Sequence, residues 1–343
     1  MTRKKTVAFG ELLLRLRAPG HERLLQSPVL EATFGGGEAN VAISLAQFGL
    51  DSHFVTRLPA NEIGDAAVRA LRAEGVDVDA VQRGGRRVGI YFTETGASQR
   101  ASLVIYDRAH SALSELQPAD VPWSEVLRGA DWFHTTGITP ALGPGPAECT
   151  RSALVSAREA GATVSVDLNY RRRLWTEEDA RRILRPLMGH VQLLIANEEH
   201  LQTILGVPIA GTDTEGRPEP EAYRAAAERV VAEHGVKWVA ITLRESISAS
   251  ENGWTALFYD GTSKTLHRAQ RYVVRLVDRI GGGDAFAAGL IFALLDGQSP
   301  EDALRFAVAA GALKQTIPGD FNRVSVAEVQ QLAAGDESGR VQR

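Results

Sequence analysis

Three glycines run into an aspartate at Gly281-Gly282-Gly283-Asp284, and the segment that follows, Ala285 to Leu295, is apolar on every side. A segment apolar all round reads as a helix buried in the core of a large domain. Its N-terminus presents N–H groups without intrahelical acceptors and the positive end of a dipole. Glycines there let a charged ligand reach the backbone without meeting a Cβ. The Asp284 carboxylate can take a proton from a hydroxyl while the amides of Gly281, Gly282 and Gly283 hold charge developing on a phosphoryl group. The chemistry outlined is phosphoryl transfer. The same residues also suit a plain helix start, since aspartate is a favoured N-cap and glycines are ordinary loop residues.

A second glycine run, Gly35-Gly36-Gly37-Glu38-Ala39-Asn40, opens a helix carrying apolar Val41, Leu45, Ala46 and Phe48 and closed by Gly49. An asparagine side chain there can donate to one hydroxyl and accept from its neighbour. The elements that must position both runs have a regular order. Strand-like residues 131–135, 163–167, 191–196 and 236–243 alternate with helical 146–160, 177–189, 198–205 and 221–234. Such alternation predicts an α/β fold with a parallel sheet covered on both faces. Ligands of these sheets bind beyond the carboxyl ends of the strands. Residues 167–171, Asn197 and residues 242–246 fall at those ends. Residues 87–94 and 101–106 alternate polar and apolar around a glycine-containing turn, which predicts a hairpin. Residues 210–219 read as a surface loop and residues 335–343 as a frayed tail. Nothing between 1 and 334 is rich enough in Gly, Ser or Pro to mark a break, so a single domain is expected.

The 38 basic and 42 acidic residues of the 343-residue chain give a net charge of -4, which argues against a nucleic-acid or membrane-surface partner. The lone Cys149 cannot pair within the chain and is read as structural, which suits a reducing cytoplasm. The N-terminal residues carry no long apolar run of the kind a signal peptide or membrane span needs. No lysine-bearing phosphate loop, H-E-x-x-H helix or nucleophile elbow occurs, and the eight histidines lack metal-ligand spacing.

The late motif, Asp278-Arg279-Ile280-Gly281-Gly282-Gly283-Asp284-Ala285-Phe286, resembles the C-terminal signature D-T-x-G-A-G-D-x-F of the PfkB (ribokinase-like) sugar kinases. Arg279 and Gly282 stand in place of the usual Thr and Ala. The resemblance runs from about Phe9 to Leu332. It implies a ribokinase-like fold, a central mostly parallel sheet flanked by helices, with a small β lid drawn from about 11–34 and 86–107. It further implies ATP and Mg²⁺, with Asp284 activating the sugar hydroxyl and Gly36, Gly37 and Asn40 against the sugar. The lid also offers a surface for homo-oligomers. A lid that closes over the sugar keeps water from the phosphoryl group.

Asp167-Leu168-Asn169-Tyr170-Arg171 through Leu174-Trp175 looks like the Asp-x-Asn-x-Arg…Leu-Trp segment of one branch of that family, the 2-keto-3-deoxygluconate kinases. There the arginine matching Arg171 contacts the substrate carboxylate, and an arginine fork suits that task. Tyr91, Tyr106 and Arg108 stand where that branch carries the residues covering the substrate, and Gly319-Asp320-Phe321 resembles it too. The substrate implied is a sugar acid phosphorylated on its terminal hydroxyl. A kinase of a neutral ketose such as fructose, or a sugar-sensing protein that kept the fold, remains the alternative. On the nucleotide side, Asn197-Glu198-Glu199-His200 lies where the family has Asn-x-x-Glu. With His200 in the fourth place, Glu198 or Glu199 substitutes at the metal, or phosphates and water hold it. Thr242-Leu243-Arg244-Glu245-Ser246 replaces the family's Thr-Leu-Gly-x-x-Gly phosphate loop, with Thr242, Arg244 and Ser246 as nucleotide contacts.

Overall fold

A computed structural model describes residues 3–209, 219–336 and 339 of the chain. Residues 210–218 of the loop expected at 210–219, and the tail residues 337–338 and 340–343, lie outside the described residues. In chain order, β1 (Lys5–Phe9), β2 (Leu13–Arg17) and β3 (Glu31–Gly35) lead into α1 (Gly37–Gln47). Then follow β4 (Asp51–Val55), the two-residue β5 (Arg57–Leu58), α2 (Glu62–Ala73), the two-residue β6 (Gln82–Arg83) and the hairpin β7 (Gly89–Glu94) and β8 (Leu103–Asp107). The short α3 (Trp123–Val126) precedes β9 (Trp132–Thr136), α4 (Pro144–Glu159), β10 (Thr163–Asp167), α5 (Glu177–Leu187) and β11 (Leu193–Ala196). One turn, α6 (Glu198–His200), continues as a π-helix over Leu201–Leu205. The chain finishes with α7 (Pro220–His234), β12 (Trp238–Ser246), β13 (Glu251–Asp260), β14 (Thr265–Arg268), β15 (Tyr272–Arg275), α8 (Gly282–Leu295), α9 (Pro300–Lys314) and α10 (Val326–Ala333).

The main sheet has nine strands in the order β14-β13-β12-β11-β10-β9-β1-β4, with β15 also on β13. From β4 to β12 every pairing is parallel. Here the strand-helix alternation does what it predicts: each crossover lays a helix on one face and returns the chain in the same direction. One side carries α4, α5 and α7 over a core that includes Phe133, Leu194 and Ile241. The other carries α8 and α9, with Phe286 of α8 in one core with Trp254 and Phe258 of β13. The alternation did not reveal the antiparallel edge β12-β13-β14-β15. Its strands follow one another through turns, so no helical spacing separates them.

β12 corrects the reading of residues 242–246. They are not a loop beyond a strand; β12 continues through Ser246 and pairs Arg244 with Trp254, Glu245 with Gly253 and Ser246 with Asn252. A second, four-stranded sheet in the order β3-β2-β7-β8 stands over the carboxyl ends of the main one. Its outer strand β8 leaves Leu103, Ile105 and Tyr106 exposed.

α8 forms where the sequence places a core helix, and nine of its residues are buried. Its cap, however, is Gly281 and not Asp284. Gly281 has φ 87°, a left-handed conformation in which a side chain is strained. A Cβ there would also collide with the Asp320 carbonyl oxygen. Asp284 is thereby pushed to the third helical position, so it does not cap its own helix and its carboxylate is available for something else.

Candidate active site

Parallel strand ends meet one cleft of about 610 Å³. Asp167 and Ala196 end β10 and β11; Glu11 lies just past β1, and Thr242 stands where β12 leaves its parallel partner. The second sheet faces them with Tyr91, Tyr106 and Arg108. Of the residues selected from sequence, all line this cleft except Gly282 and Ser246. Gly282 is buried against Gln315 and its amide leans on the Arg279 carbonyl at 3.5 Å. Ser246 is exposed at the far end of β12.

Asp284 is fixed from outside its helix: Asn40 Nδ2 donates to its Oδ2 at 2.7 Å. Asn40 is oriented in turn, accepting the Gly36 amide on Oδ1 at 3.3 Å. Thus α1 and α8, from opposite ends of the chain, present their N-termini to one point. Burial pushes the Asp284 carboxyl up to about 7 against the lowering effect of Asn40, with Asp167, Asp320 and Glu38 adding to the rise. A carboxylate poised near neutral pH is what a general base requires. Gly283 and Asp284 lie in the first turn of α8, where helix geometry leaves the amides unpaired and aimed outward.

A Cβ added at Gly37 would sit 3.7 Å from Asp284 Oδ1 and 3.8 Å from Asn169 Nδ2, at ordinary contact distance. The space is therefore real, and the fold does not need it empty. Gly37→Ala is expected to melt within about 1 °C of the wild type while raising the acceptor KM at least tenfold. A melting scan beside steady-state kinetics checks this.

Two acids that stand in the quoted motifs, without a role assigned from sequence, support the site. Glu38, 1% exposed, accepts from the Thr136 amide at 3.1 Å and from the Thr136 and Thr139 hydroxyls at 2.7 Å each, tying α1 to the end of β9. Burial raises its pKa. In the sequence it is simply an acid in the first turn of α1. Asp167, raised to about 6 chiefly by burial, accepts the Asn169 amide at 2.9 Å. Asn169 itself has φ 36°, a strained backbone of the kind that collects at functional sites.

The lid residues are less free than their positions suggested. Arg108 is committed to Glu11, with Nε at 2.8 Å and a second contact through Nη2, and lies 5.5 Å over the Tyr106 ring. Tyr91 stacks on Tyr106 with ring centroids 5.8 Å apart and donates to Asp320 Oδ2 at 2.6 Å. Asp320 also accepts from Arg15 Nη1 at 2.6 Å, while Arg15 Nη2 reaches Asp278 Oδ2 at 2.7 Å. Lys314, fully buried, donates to the carbonyls of Asp278 and Ile317 at 3.3 and 3.2 Å. Arg171, by contrast, makes only a 3.4 Å bond to the Tyr170 carbonyl and has no carboxylate partner among the described residues.

The donor set for a metal is thin. Glu198 accepts from the Tyr223 hydroxyl, and Glu199 lies 3.5 Å from Arg172. Among the described residues no cluster of three or more His, Cys, Asp or Glu side chains could hold a metal. His200 is buried and packs edge-on to Tyr170. Burial, with Arg171 nearby, lowers its pKa to about 4, so it is neutral and takes no carboxylate role. Two acids in the first turn of a one-turn helix fit a Mg²⁺ that arrives on phosphate oxygens and keeps its water.

The fold and this cleft belong together in one class of enzyme. Residues 3–323 match the pfkB family carbohydrate kinase model, and the chain belongs to that family. A solved 2-dehydro-3-deoxygluconokinase from Thermotoga maritima is 49% identical, with a TM-score of 0.93 over 97% of this chain and 100% of that one. The 2-dehydro-3-deoxygalactonokinase of Haloferax volcanii is 31% identical over 97% of this chain and 98% of its own length. The 2-dehydro-3-deoxygluconokinase of Bacillus subtilis is 29% identical over 94% and 93%.

Proposed function

We propose that this carbohydrate kinase transfers the terminal phosphoryl group of ATP to the terminal hydroxyl of 2-keto-3-deoxygluconate. The observation that carries this reading is Asp284, held by Asn40 at the amide mouth of α8, in the same cleft as Arg171, which forms no ion pair among the described residues. The names of the relatives support a deoxy-keto sugar acid as the acceptor.

In the proposed reaction Asp284 takes the proton of the sugar's terminal hydroxyl. That oxygen bonds to the γ-phosphorus as the bond to the β-phosphate oxygen breaks, and ADP leaves. The Gly283 and Asp284 amides face the equatorial oxygens and stabilise the charge they gain. Mg²⁺, when bound to the nucleotide, neutralises phosphate charge, with Glu198 and Glu199 placed to hold its water. Arg171 pairs with the sugar carboxylate, which fixes the far end of the acceptor and points its terminal carbon at Asp284. Tyr91 and Tyr106 cover the acceptor from the lid side. Arg108 acts through Glu11 as part of the wall, since its fork is already occupied.

The test is a side-by-side turnover assay on 2-keto-3-deoxygluconate, its galactose-derived epimer, fructose and ribose, with Arg171→Ala beside the wild type. The wild type is expected to favour the acids. Arg171→Ala is expected to lose about 10- to 100-fold in kcat/KM for the acids, the usual weight of a charge-assisted pair, and little for fructose. A variant that kept its full preference for acid over neutral sugar would overturn the assignment of Arg171. A wild type that turned over only fructose would overturn the substrate.

A further inference from the structure

The cleft has a second cluster of charge that the acceptor does not use. Arg244, on β12, and Arg279, in the turn before α8, line the same cleft as Arg171 and the Gly281 and Gly283 backbone. Arg279 Nε is buried with no hydrogen-bond partner among the described residues. No ion pair is formed by Arg244, Arg279 or Arg171 among the described residues, although Arg15, Arg17, Arg57, Arg83 and Arg87 are all paired. Arg244 lies 5.9 Å over the buried Trp254 ring. Arg244 is exposed along β12, and the protein around its guanidinium lowers its pKa, by desolvation first and then by the charges of Arg279 and Arg171, with only Asp284 opposing. Guanidinium groups crowded together with little counter-charge raise the energy of the unliganded protein. An anion with several oxygens relieves that crowding and satisfies the orphan donor in one step.

We propose that Arg279 and Arg244 form a guanidinium clamp for the inner phosphates of the nucleoside triphosphate. The inference rests on the proposed reaction for the identity of the anion. Arg279 is two residues ahead of Gly281, whose turn starts the amide mouth that receives the terminal phosphate. Arg279 and Arg244 line the cleft into which that mouth opens, and they are near enough for the charge of Arg279 to act on Arg244. The clamp accounts for the course of β12, which continues as an extended hairpin where a backbone phosphate loop would otherwise stand. Side-chain forks supply the donors that loop amides would have given.

The experiment measures binding by calorimetry without sugar, so it does not depend on which acceptor is phosphorylated. The probes are ATP, ADP and adenosine, with the full chain as wild type, Arg279→Thr, Arg279→Lys and Arg244→Ala. Arg279→Thr and Arg244→Ala are each expected to weaken ATP and ADP about 10- to 100-fold, with adenosine within twofold of wild type. Arg279→Lys, which keeps charge but not the planar fork, is expected to fall between wild type and Arg279→Thr. In turnover assays the KM for ATP is expected to rise with the KM for the acceptor within about threefold. ATP affinity within twofold of wild type in Arg279→Thr and Arg244→Ala would overturn the clamp. An equal loss for adenosine would overturn it too, since that is the mark of a damaged fold. Should wild type bind ATP but phosphorylate no sugar acid, the substrate reading fails and the clamp is still judged by these affinities.

Discussion

Asp284→Asn is expected to lower kcat by at least 10²- to 10⁴-fold, with the KM for ATP within a few-fold of wild type. The substitution keeps an acceptor oxygen for Asn40 Nδ2 at 2.7 Å, so the α1–α8 contact survives. It removes the carboxylate proposed to accept the acceptor's proton. The wild-type acid limb should follow the same carboxyl: kcat/KM is expected to fall tenfold per pH unit below an apparent pKa near 7. A variant with unchanged turnover, or a wild-type acid limb centred below pH 5, would remove Asp284 from the role of base.

The substitution also makes a stability prediction of opposite sign. The folded-state pKa of Asp284 is raised to about 7, chiefly by burial, from an unfolded value of about 3.9. The folded chain therefore binds this proton more tightly than the unfolded one. That contribution is fully present below about pH 3.9 and is lost as pH rises through 7. At pH 8 the wild type holds a charged, poorly solvated carboxylate that asparagine does not impose. Asp284→Asn should melt at or above the wild-type temperature at pH 8, with the difference shrinking toward pH 4. An inactive variant that melted several degrees lower would point to a damaged fold instead of a missing base.

What the sequence disclosed divides along a physical line. Glycine runs before apolar segments, and strands alternating with helices, are local patterns, and they placed α1, α8, the parallel sheet and most of the cleft. Glu38 was not legible because its partners, Thr136 and Thr139, are about a hundred positions away. Read as a first-turn acid it had a sufficient local explanation. The extension of β12 through Ser246 was hidden for the opposite reason. Residues 244–246 are exposed and polar, so nothing in their periodicity separates a solvent-facing hairpin from a loop. Arg108 lines the cleft as its position suggested, but its commitment to Glu11 depends on β2, which starts two residues after Glu11, pairing with β7 and so lying beside β8. Arg15 gave no signal at all. In Leu13–Arg17 it alternates with leucines like any solvent-facing strand residue, and the face it occupies turns inward.

That inward face gives the second large effect. Arg15 is 2% exposed and holds Asp320 at 2.6 Å and Asp278 at 2.7 Å, with its Nε 3.3 Å from the Thr93 hydroxyl. Asp278 in turn accepts the Ile280 and Gly319 amides at 3.2 and 3.1 Å. One lid side chain thus pins the turn that sets Gly281 in its left-handed conformation and the loop that carries Asp320. A buried ion pair contributes little when compared with a well-packed apolar replacement, but breaking one partner leaves an uncompensated charge, which costs about 3–5 kcal/mol. Arg15→Ala takes the bonded guanidinium from two such carboxylates at once, with Arg17 no nearer to Asp278 than 3.9 Å. Urea unfolding is expected to show a loss of about 3–5 kcal/mol, a large part of the 5–15 kcal/mol typical of a whole domain. Removing the charges as well, in Arg15→Ala with Asp278→Asn and Asp320→Asn, should recover part of that loss, because the residues act as one network. The recovered protein should still be slow, since the turn before α8 has lost its anchor. A single-variant loss under about 1 kcal/mol, the range of an exposed pair, would mean that the lid opens readily in solution and that the three charges are hydrated. In that case Arg15 would have no part in positioning the amide mouth.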